Sequence, residues 1–270
     1  MTEHQAVYTH GHQDAVLRSH RTRTVANSAA YLLPELRPGQ QVLDVGCGPG
    51  TITADLAELV GPHGRVYAVD TSEQVLAEAA EYVAGRGIGN VEFLVADVYE
   101  LPYEAGKFDV VHAHQVLQHV ADPVAALRAM RRVAAPGGVV AARDADYQAM
   151  TWYPELPELE AWLSVYRRAA RANGGEPDAG RRLLAWAREA GFTELSASSS
   201  SWTYATPGER LWWGESWADR TVGSGMAATA LAEGIATERE LALLAEGWRR
   251  WTVEPDGWFA VLHGEILARG

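Results

Sequence analysis

A chain of 270 residues with 47% apolar and 21% charged side chains is long enough to bury a full core, as one large domain or a domain with a cap. A formal net charge of −12 argues against an electrostatic grip on nucleic acid or on an anionic membrane. The single cysteine, Cys47, leaves no disulfide framework and no cysteine-based zinc site, which suits a reducing cytoplasm, while no apolar run approaches a membrane span and Met1-Thr2-Glu3-His4 is too polar to begin a signal peptide.

Residues 1–37 carry His4, His10, His12, His20, Tyr8 and the basic positions Arg18, Arg21 and Arg23, followed by Val25, Ala29, Leu32 and Leu33 at helical spacing up to Pro34. This predicts two helices joined near His20, forming a lid in which Tyr8 meets a substrate and Arg23 pairs a ligand carboxylate. Val42-Leu43-Asp44-Val45-Gly46-Cys47-Gly48-Pro49-Gly50 then reads as a strand ending in a tight turn, and Thr51 opens a helix to Val60. Glycines at alternate positions let another molecule approach the backbone, and the following helix offers free N–H groups at its start. The dinucleotide fingerprint G-x-G-x-x-G would need a glycine where Thr51 stands, and Asp44 would repel a pyrophosphate but suits an ammonium group. An NAD(P)-dependent oxidoreductase is disfavoured on both counts.

Strand and helix patterns alternate from there. Strands are predicted at Arg65–Val69, Val91–Val95, Phe108–Ala113 and Val139–Ala142. Helices are predicted from Glu73 to Val83, capped by Ser72, and from Asp122-Pro123 up to Pro136-Gly137-Gly138. Short apolar strands alternating with helices imply a parallel sheet covered on both faces, with its ligand at the carboxyl ends of the strands. Asp44, Asp70 and Asp97 all fall at that edge. Asp70 is placed to accept both hydroxyls of a ribose, Asp97 and the Val98 N–H to meet adenine, and Asp44 with the Gly46 region to receive an ammonium. Adenine, ribose and an amino-acid tail without phosphate describe S-adenosylmethionine. Cys47, Thr51, Thr71 and Gln74 are counted with Gly46, Gly48 and Gly50 as cofactor-binding candidates; Cys47 is read as a small packing residue, not a nucleophile.

All ten tryptophans fall after residue 151, so the second half is the aromatic one. It predicts helices around 154–173 and 183–191, an alternating strand from Glu194 to Tyr204, capping boxes at Thr206–Glu209 and Thr237–Glu240, and a last strand from Trp258. Trp248 and Trp251 are expected in the core, and of Trp212, Trp213 and Trp217 at least one is expected to be exposed or to point into a cavity. Tyr147 and Trp152, with Trp213, are the candidate substrate contacts. His112 is expected to pack or be solvated, and His119 is the candidate general base, with Asp144 as another.

The stretches Val42–Gly50, Tyr67–Asp70, Ala96-Asp97, Phe108–Val120, Asp122-Pro123, Leu127-Arg128, Arg132-Val133 and Pro136–Gly138 together resemble the class I S-adenosylmethionine-dependent methyltransferases, in particular the ubiquinone/menaquinone-biosynthesis type. The resemblance covers residues 38–143. It implies a Rossmann-like seven-stranded, mostly parallel α/β sheet with helices on both faces, the last strand antiparallel, plus a helical cap. It also implies that His114 and Gln115 flank the methionine part of the cofactor. The Asn/Asp-Pro-Pro-Tyr/Phe motif of base and glutamine methylases is replaced by His114-Gln115-Val116-Leu117, so those substrates are not expected. The expected organisation is one methyltransferase domain: a lid at 1–37, a core at 38–206 and 257–270, and a capping insertion at 207–256. Its partner would be a small-molecule methyl acceptor, met by a monomer or homodimer. A regulatory protein that binds the cofactor without transferring the methyl is the alternative.

Overall fold

The computed structural model describes residues 22–270; Tyr8, most of the expected lid and its joint near His20 lie outside that range. A four-residue helix α1 (Val25–Ser28) and a 3-10 stretch Ala30–Glu35 take the place of the longer helix expected there; Pro34, inside the stretch, offers no N–H for an α-helical ladder. The sheet follows: β1 (Gln41–Val45), β2 (Arg65–Asp70), β3 (Val91–Val95), β4 (Phe108–His114), β5 (Ala134–Ala145), β6 (Thr151–Tyr153), β7 (Glu194–Tyr204) and β8 (Trp258–Arg269). Its order is β3-β2-β1-β4-β5-β8-β6, with β7 paired along β8. The first five strands are parallel, and β8 runs antiparallel to β5, β6 and β7.

Alternation along the strands divides the core. Leu43, Val45, Val69, Val111, Ala113, Val140 and Ala142 meet α4 (Pro123–Val133) and α6 (Leu183–Glu189), whereas Val42, Val66, Val110, Val139 and Ala141 meet α1, the 3-10 stretch and α2 (Thr51–Val60). Helix α3 (Glu73–Gly85) adds Leu76 against Cys47 and Ala68. Both faces are therefore apolar and covered, as a parallel sheet requires.

Two expectations are corrected. The helix α4 ends at Val133, not at the Pro-Gly-Gly run, and β5 starts at Ala134 and carries Pro136, Gly137 and Gly138 within its first turns of extended chain. The sheet has eight strands where seven were expected: the three-residue β6 pairs with the start of β8, too short for any periodicity to reveal.

Helix α5 (Pro157–Ala172) and the insertion helices α7 (Pro207–Gly223), α8 (Gly225–Ala232) and α9 (Glu238–Thr252) build a second core on Ala145, Phe259 and Val261, at the carboxyl end of β5. Both predicted capping boxes form, at α7 and α9. Trp162 sits at the middle, its ring 4.6 Å from that of Trp217 and 4.8 Å from that of Trp248, both T-shaped. Trp248 and Trp251 are buried as expected, and of the α7 trio Trp213 and Trp217 are buried while Trp212 is only partly so.

Trp162→Ala should cost about 3–5 kcal/mol of stability by removing the ring that this cluster packs around. Val253→Ala, at 76% exposure, should stay within about 0.5 kcal/mol. Chemical denaturation of the two variants beside the parent checks both.

Candidate functional site

The carboxyl edge of the sheet is organised by the turn between β1 and α2. Gly46, Gly48 and Gly50 hold φ of 65°, 55° and 77°. The N–H groups of Gly46 and Cys47 both donate to the Val69 carbonyl, at 2.8 and 3.0 Å, tying the turn to β2. At Gly46 a Cβ would stand 2.5 Å from Val116 Cγ2, so glycine is what admits the loop after β4. At Gly48 no atom of the described residues lies within 4 Å of where a Cβ would be. Backbone turned outward onto open space is what a ligand approaching the main chain needs.

Asp44 lies beneath this turn, buried, with Oδ2 accepting from the Thr53 hydroxyl at 2.6 Å and Oδ1 from His112 Nδ1 at 2.9 Å. Both protein bonds point into the protein, linking β1 to α2 and β4, and His112 is fully buried in line with the packed reading. Asp70 is different. Its Oδ2 accepts from the Gly48 N–H and its Oδ1 from the Ser72 N–H, each at 3.1 Å, and each ionised oxygen keeps further acceptor capacity. Thr71 and Gln74 beside it are exposed, whereas Thr51 is buried at the start of α2. Asp97 accepts from the Tyr99 N–H at 3.0 Å, capping the 3-10 turn that Val98 opens. Cys47 is buried, and burial, with Asp44 and Asp70 nearby, pushes its thiol well up, against any nucleophilic role.

The loop after β4 forms the other wall. Gln115 holds φ of 54°, a non-glycine residue in the left-handed region. Its Oε1 accepts from Arg23 Nη2 at 2.6 Å and its amide nitrogen meets His263 Nε2 at 2.9 Å, so Arg23 and Gln115 engage each other across the site. His114 is buried and lowered well below the usual imidazole range by burial, then by Arg23 and Arg143; neither ring nitrogen has a hydrogen-bond partner among the described residues. Burial also lowers His119 to about 3, with Arg23 adding to the effect. Arg143, fully buried, bonds Glu265 Oε1 at 3.2 Å and Ser200 Oγ at 3.1 Å, and stacks over Trp202 at 4.9 Å. The polar residues inside strands Glu194–Tyr204 and Trp258–Arg269 are the one sequence signal for this β5–β8–β7 network, and they do not say which residues pair.

Asp144 is fully buried near the end of β5. Oδ1 accepts from the Gln118 N–H at 3.0 Å, Oδ2 has no partner among the described residues, and burial pushes the carboxyl up to about 7. Of the aromatic candidates, Tyr147 is buried and stacked on Tyr166 at 4.1 Å, and Trp213 is buried and stacked on Tyr204 at 4.2 Å. Trp152 is partly open and stacked on Phe259 at 5.6 Å.

No group of three or more His, Cys, Asp or Glu side chains is arranged to hold a metal among the described residues. No described helix is long and apolar enough to cross a membrane.

A family described as "Methyltransferase domain" matches residues 36–191. An uncharacterized methyltransferase of Schizosaccharomyces pombe is 33% identical over 97% of this chain and 96% of its own length. The demethylmenaquinone methyltransferase of Geobacillus stearothermophilus is 38% identical over 38% of this chain and 44% of its own. Among solved structures, phosphoethanolamine N-methyltransferase 2 of Haemonchus contortus, in complex with S-adenosyl-L-methionine, superposes with a TM-score of 0.56 at 20% identity, covering 89% of this chain and 51% of that one.

Gly46→Ala should destabilise the protein by about 1–3 kcal/mol through the clash with Val116, on top of the backbone penalty of about 1–2 kcal/mol that its positive φ brings, and Val116→Ala in the same chain should restore the clash part. Gly48→Ala, with open space before it, should cost only the backbone penalty of about 1–2 kcal/mol. Thermal unfolding of the three variants tests the contrast. Asp144→Asn should raise stability above pH 7, on the order of 4 kcal/mol at most, and give no gain near pH 4. The sign follows because a carboxyl raised in the folded state stabilises at low pH and loses that contribution as pH rises through about 7. Urea midpoints for parent and variant across pH 4–8 read it.

Proposed function

The chain belongs to the methyltransferase-domain family and is an S-adenosylmethionine-dependent methyltransferase, and from that premise we propose that it methylates a small organic molecule at an O, N or C atom held between the loop after β4 and the helical insertion. The observation that supports the cofactor's placement is the pair Gly48 and Asp70: an outward-turned glycine facing open space, hydrogen-bonded to a carboxylate with acceptor capacity to spare.

In this reading Gly46, Cys47, Gly48, Gly50 and Thr51 form the cradle for the amino-acid tail. Asp44 sets the cradle's shape and contributes negative charge beneath the ammonium group. Asp70, with Thr71 and Gln74 on its open side, takes the ribose hydroxyls, and Asp97 with Val98 takes the adenine. Arg23, Gln115 and His114 line the methionine end. When bound, the cofactor supplies an electrophilic methyl on a sulfonium sulfur. What the chain must add is alignment and dryness, and the aromatic second core beside Trp152, Tyr147 and Trp213 provides a water-poor wall for the acceptor. His119, partly open at the end of this loop, is the side chain offered to the acceptor itself. The low basicity that burial imposes on it fits a transfer that depends on positioning more than on proton abstraction.

Asp70→Asn keeps an oxygen for Gly48 and removes the charge that ribose hydroxyls would meet. With charge-assisted bonds worth roughly 1.5–3 kcal/mol, affinity for S-adenosylhomocysteine should fall at least about tenfold by calorimetry while the fold persists. Unchanged affinity would remove Asp70 from the site. A panel of phenols, amines and enolisable ketones incubated with the cofactor should yield S-adenosylhomocysteine with at least one class. Cofactor binding with no release from any of them would favour a regulatory protein.

A further inference from the structure

The pairing registers put Val110 and His114 of β4 on the same face of the sheet as Val139, Arg143 and Ala145 of β5, and set Arg143 opposite Glu265 of β8. Along that face the residues change character twice. Val110 and Val139 belong to the core under α1, the 3-10 stretch Ala30–Glu35 and α2, whereas Ala145 belongs to the aromatic core of α5 and the insertion. Between the two cores lies a polar belt, one row of which runs from His114 through Arg143 and Glu265 to Ser198 of β7. Trp202, half-buried, lies beside it, its ring 5.8 Å from that of His114 and 4.9 Å from the Arg143 guanidinium, with Nε1 donating to the Asn27 carbonyl at 2.8 Å. Tyr31, on the 3-10 stretch, is close enough to feel the charges of Glu265 and Arg143.

Most of the belt is spent inside the protein. Glu265 accepts from Arg143 Nε at 3.2 Å and from the hydroxyls of Ser198 and Ser200, and both ring nitrogens of His263 are engaged, by Gln115 and by the Val261 carbonyl. Four atoms are not: His114 Nδ1 and Nε2, Arg143 Nη1 and the Tyr31 hydroxyl are buried and have no hydrogen-bond partner among the described residues. Arg143 is fully buried and His114 is 6% exposed, so bulk water does not serve them. A buried polar group left unsatisfied costs about 1–3 kcal/mol, and here side chains from β4, β5 and the 3-10 stretch leave theirs beside one ion pair. Arg143 Nη1 only donates. The Tyr31 hydroxyl, kept protonated by burial and by the Glu265 charge, also donates, and a neutral His114 offers one N–H and one lone pair. Beyond burial, the charges that act most on His114 are those of Arg23 and Arg143. Glu265 stands on the far side of Arg143 in the row, already matched by the guanidinium and two hydroxyls. Donors in excess under a positive field suit an oxygen that carries negative charge.

We propose that this belt holds the methyl acceptor: Arg143 Nη1, the Tyr31 hydroxyl and the His114 N–H bind an anionic oxygen, a carboxylate or phenolate, of the molecule that is methylated. This rests on the reading that places the acceptor between the loop after β4 and the helical insertion, and it narrows the acceptor to organic acids and phenols. Position separates this anion from the cofactor's own carboxylate. In the sheet β4 lies between β1 and β5, so Arg143 is carried about 10 Å from the strand whose turn is read as the cradle of the amino-acid tail.

Calorimetry on the full chain saturated with S-adenosylhomocysteine tests this, with benzoate and 4-nitrophenolate as anionic probes and benzamide as the neutral one. At least one of the two anions should bind at least about tenfold more tightly than benzamide; no preference for either anion overturns the proposal. Tyr31→Phe removes only a hydroxyl that bonds nothing among the described residues, so its melting temperature should hold or rise while anion affinity falls about tenfold. Unchanged affinity overturns the proposal and leaves the belt to ordered water. Arg143→Lys keeps a cation beside Glu265 but removes Nη1, and should lose anion affinity to the same degree; no loss overturns the proposal. Where Arg143→Lys does not fold, Tyr31→Phe alone decides.

Affinity for S-adenosylhomocysteine should be the same in the parent and both variants. A fall as large as that for the anions, or anion binding seen only without S-adenosylhomocysteine, would assign the oxygen to the cofactor and overturn the proposal. If the parent does not bind S-adenosylhomocysteine, the cofactor reading fails instead, and the comparison of benzoate with benzamide on the unliganded protein still decides the anion site. Among acceptors, S-adenosylhomocysteine release is expected with acids or phenols; release only with amines that lack both groups overturns the proposal.

Discussion

A carboxylate buried under a glycine turn is the constraint on which the rest of the site depends. Asp44 is taken out of water and compensated by the Thr53 hydroxyl and by His112, one from α2 and one from β4. A buried carboxylate without such partners would cost several kcal/mol, so these two bonds hold the three elements in one relative position. Above that anchor the turn is closed by Val69, which accepts two successive N–H groups, and its outer surface is left to Gly48 and Asp70. The outer shape of the glycine turn is thus determined from below, by groups that face into the protein.

A second, separate core sets the other side. Trp162, Trp217, Trp248 and Trp251 are among the largest fully buried side chains, and they tie α5, α7 and α9 to one another and to Phe259 of β8. Because Ala145 at the end of β5 belongs to this core, the aromatic body is attached at the carboxyl edge, next to the loop carrying Gln115, Gln118 and His119. The carboxyl edge therefore has two differently built walls: a small-residue turn fixed by hydrogen bonds, and an apolar mass fixed by ring packing. The loop after β4 joins them, held at Gly46 by Val116 on one side and at Ala145 by Gln118 on the other.

Much of this was legible in local pattern. The capping boxes at Thr206 and Thr237, the N-caps at Ser72 and Asp122, and the span Glu194–Tyr204 all form as the sequence implies. Their signals are short-range: a hydroxyl and a carboxylate three residues apart, or alternation along one strand. Pro136-Gly137-Gly138 misled because a helix-stopping composition also suits the irregular start of an edge-approaching strand, and only the pairing of β5 with β4 decides between them. Local pattern does not show that Asp44 bonds Thr53 with one oxygen and, with the other, His112, 68 residues away. The Gln115–His263 pair spans 148 residues, and the Gln118 side chain accepts from a backbone N–H 27 residues further on. No one-dimensional pattern encodes such meetings, because the fold makes them.

The central claim is that S-adenosylmethionine lies along the carboxyl ends of β1, β2 and β3, from the glycine turn past Asp70 to Asp97. A crystal structure with S-adenosylhomocysteine bound tests it most directly. The account predicts the amino-acid tail against Gly48, the ribose hydroxyls within hydrogen-bond distance of Asp70 and the adenine beside Asp97 and Val98. Density for the ligand anywhere else on the chain, or a ribose out of reach of Asp70, would contradict it.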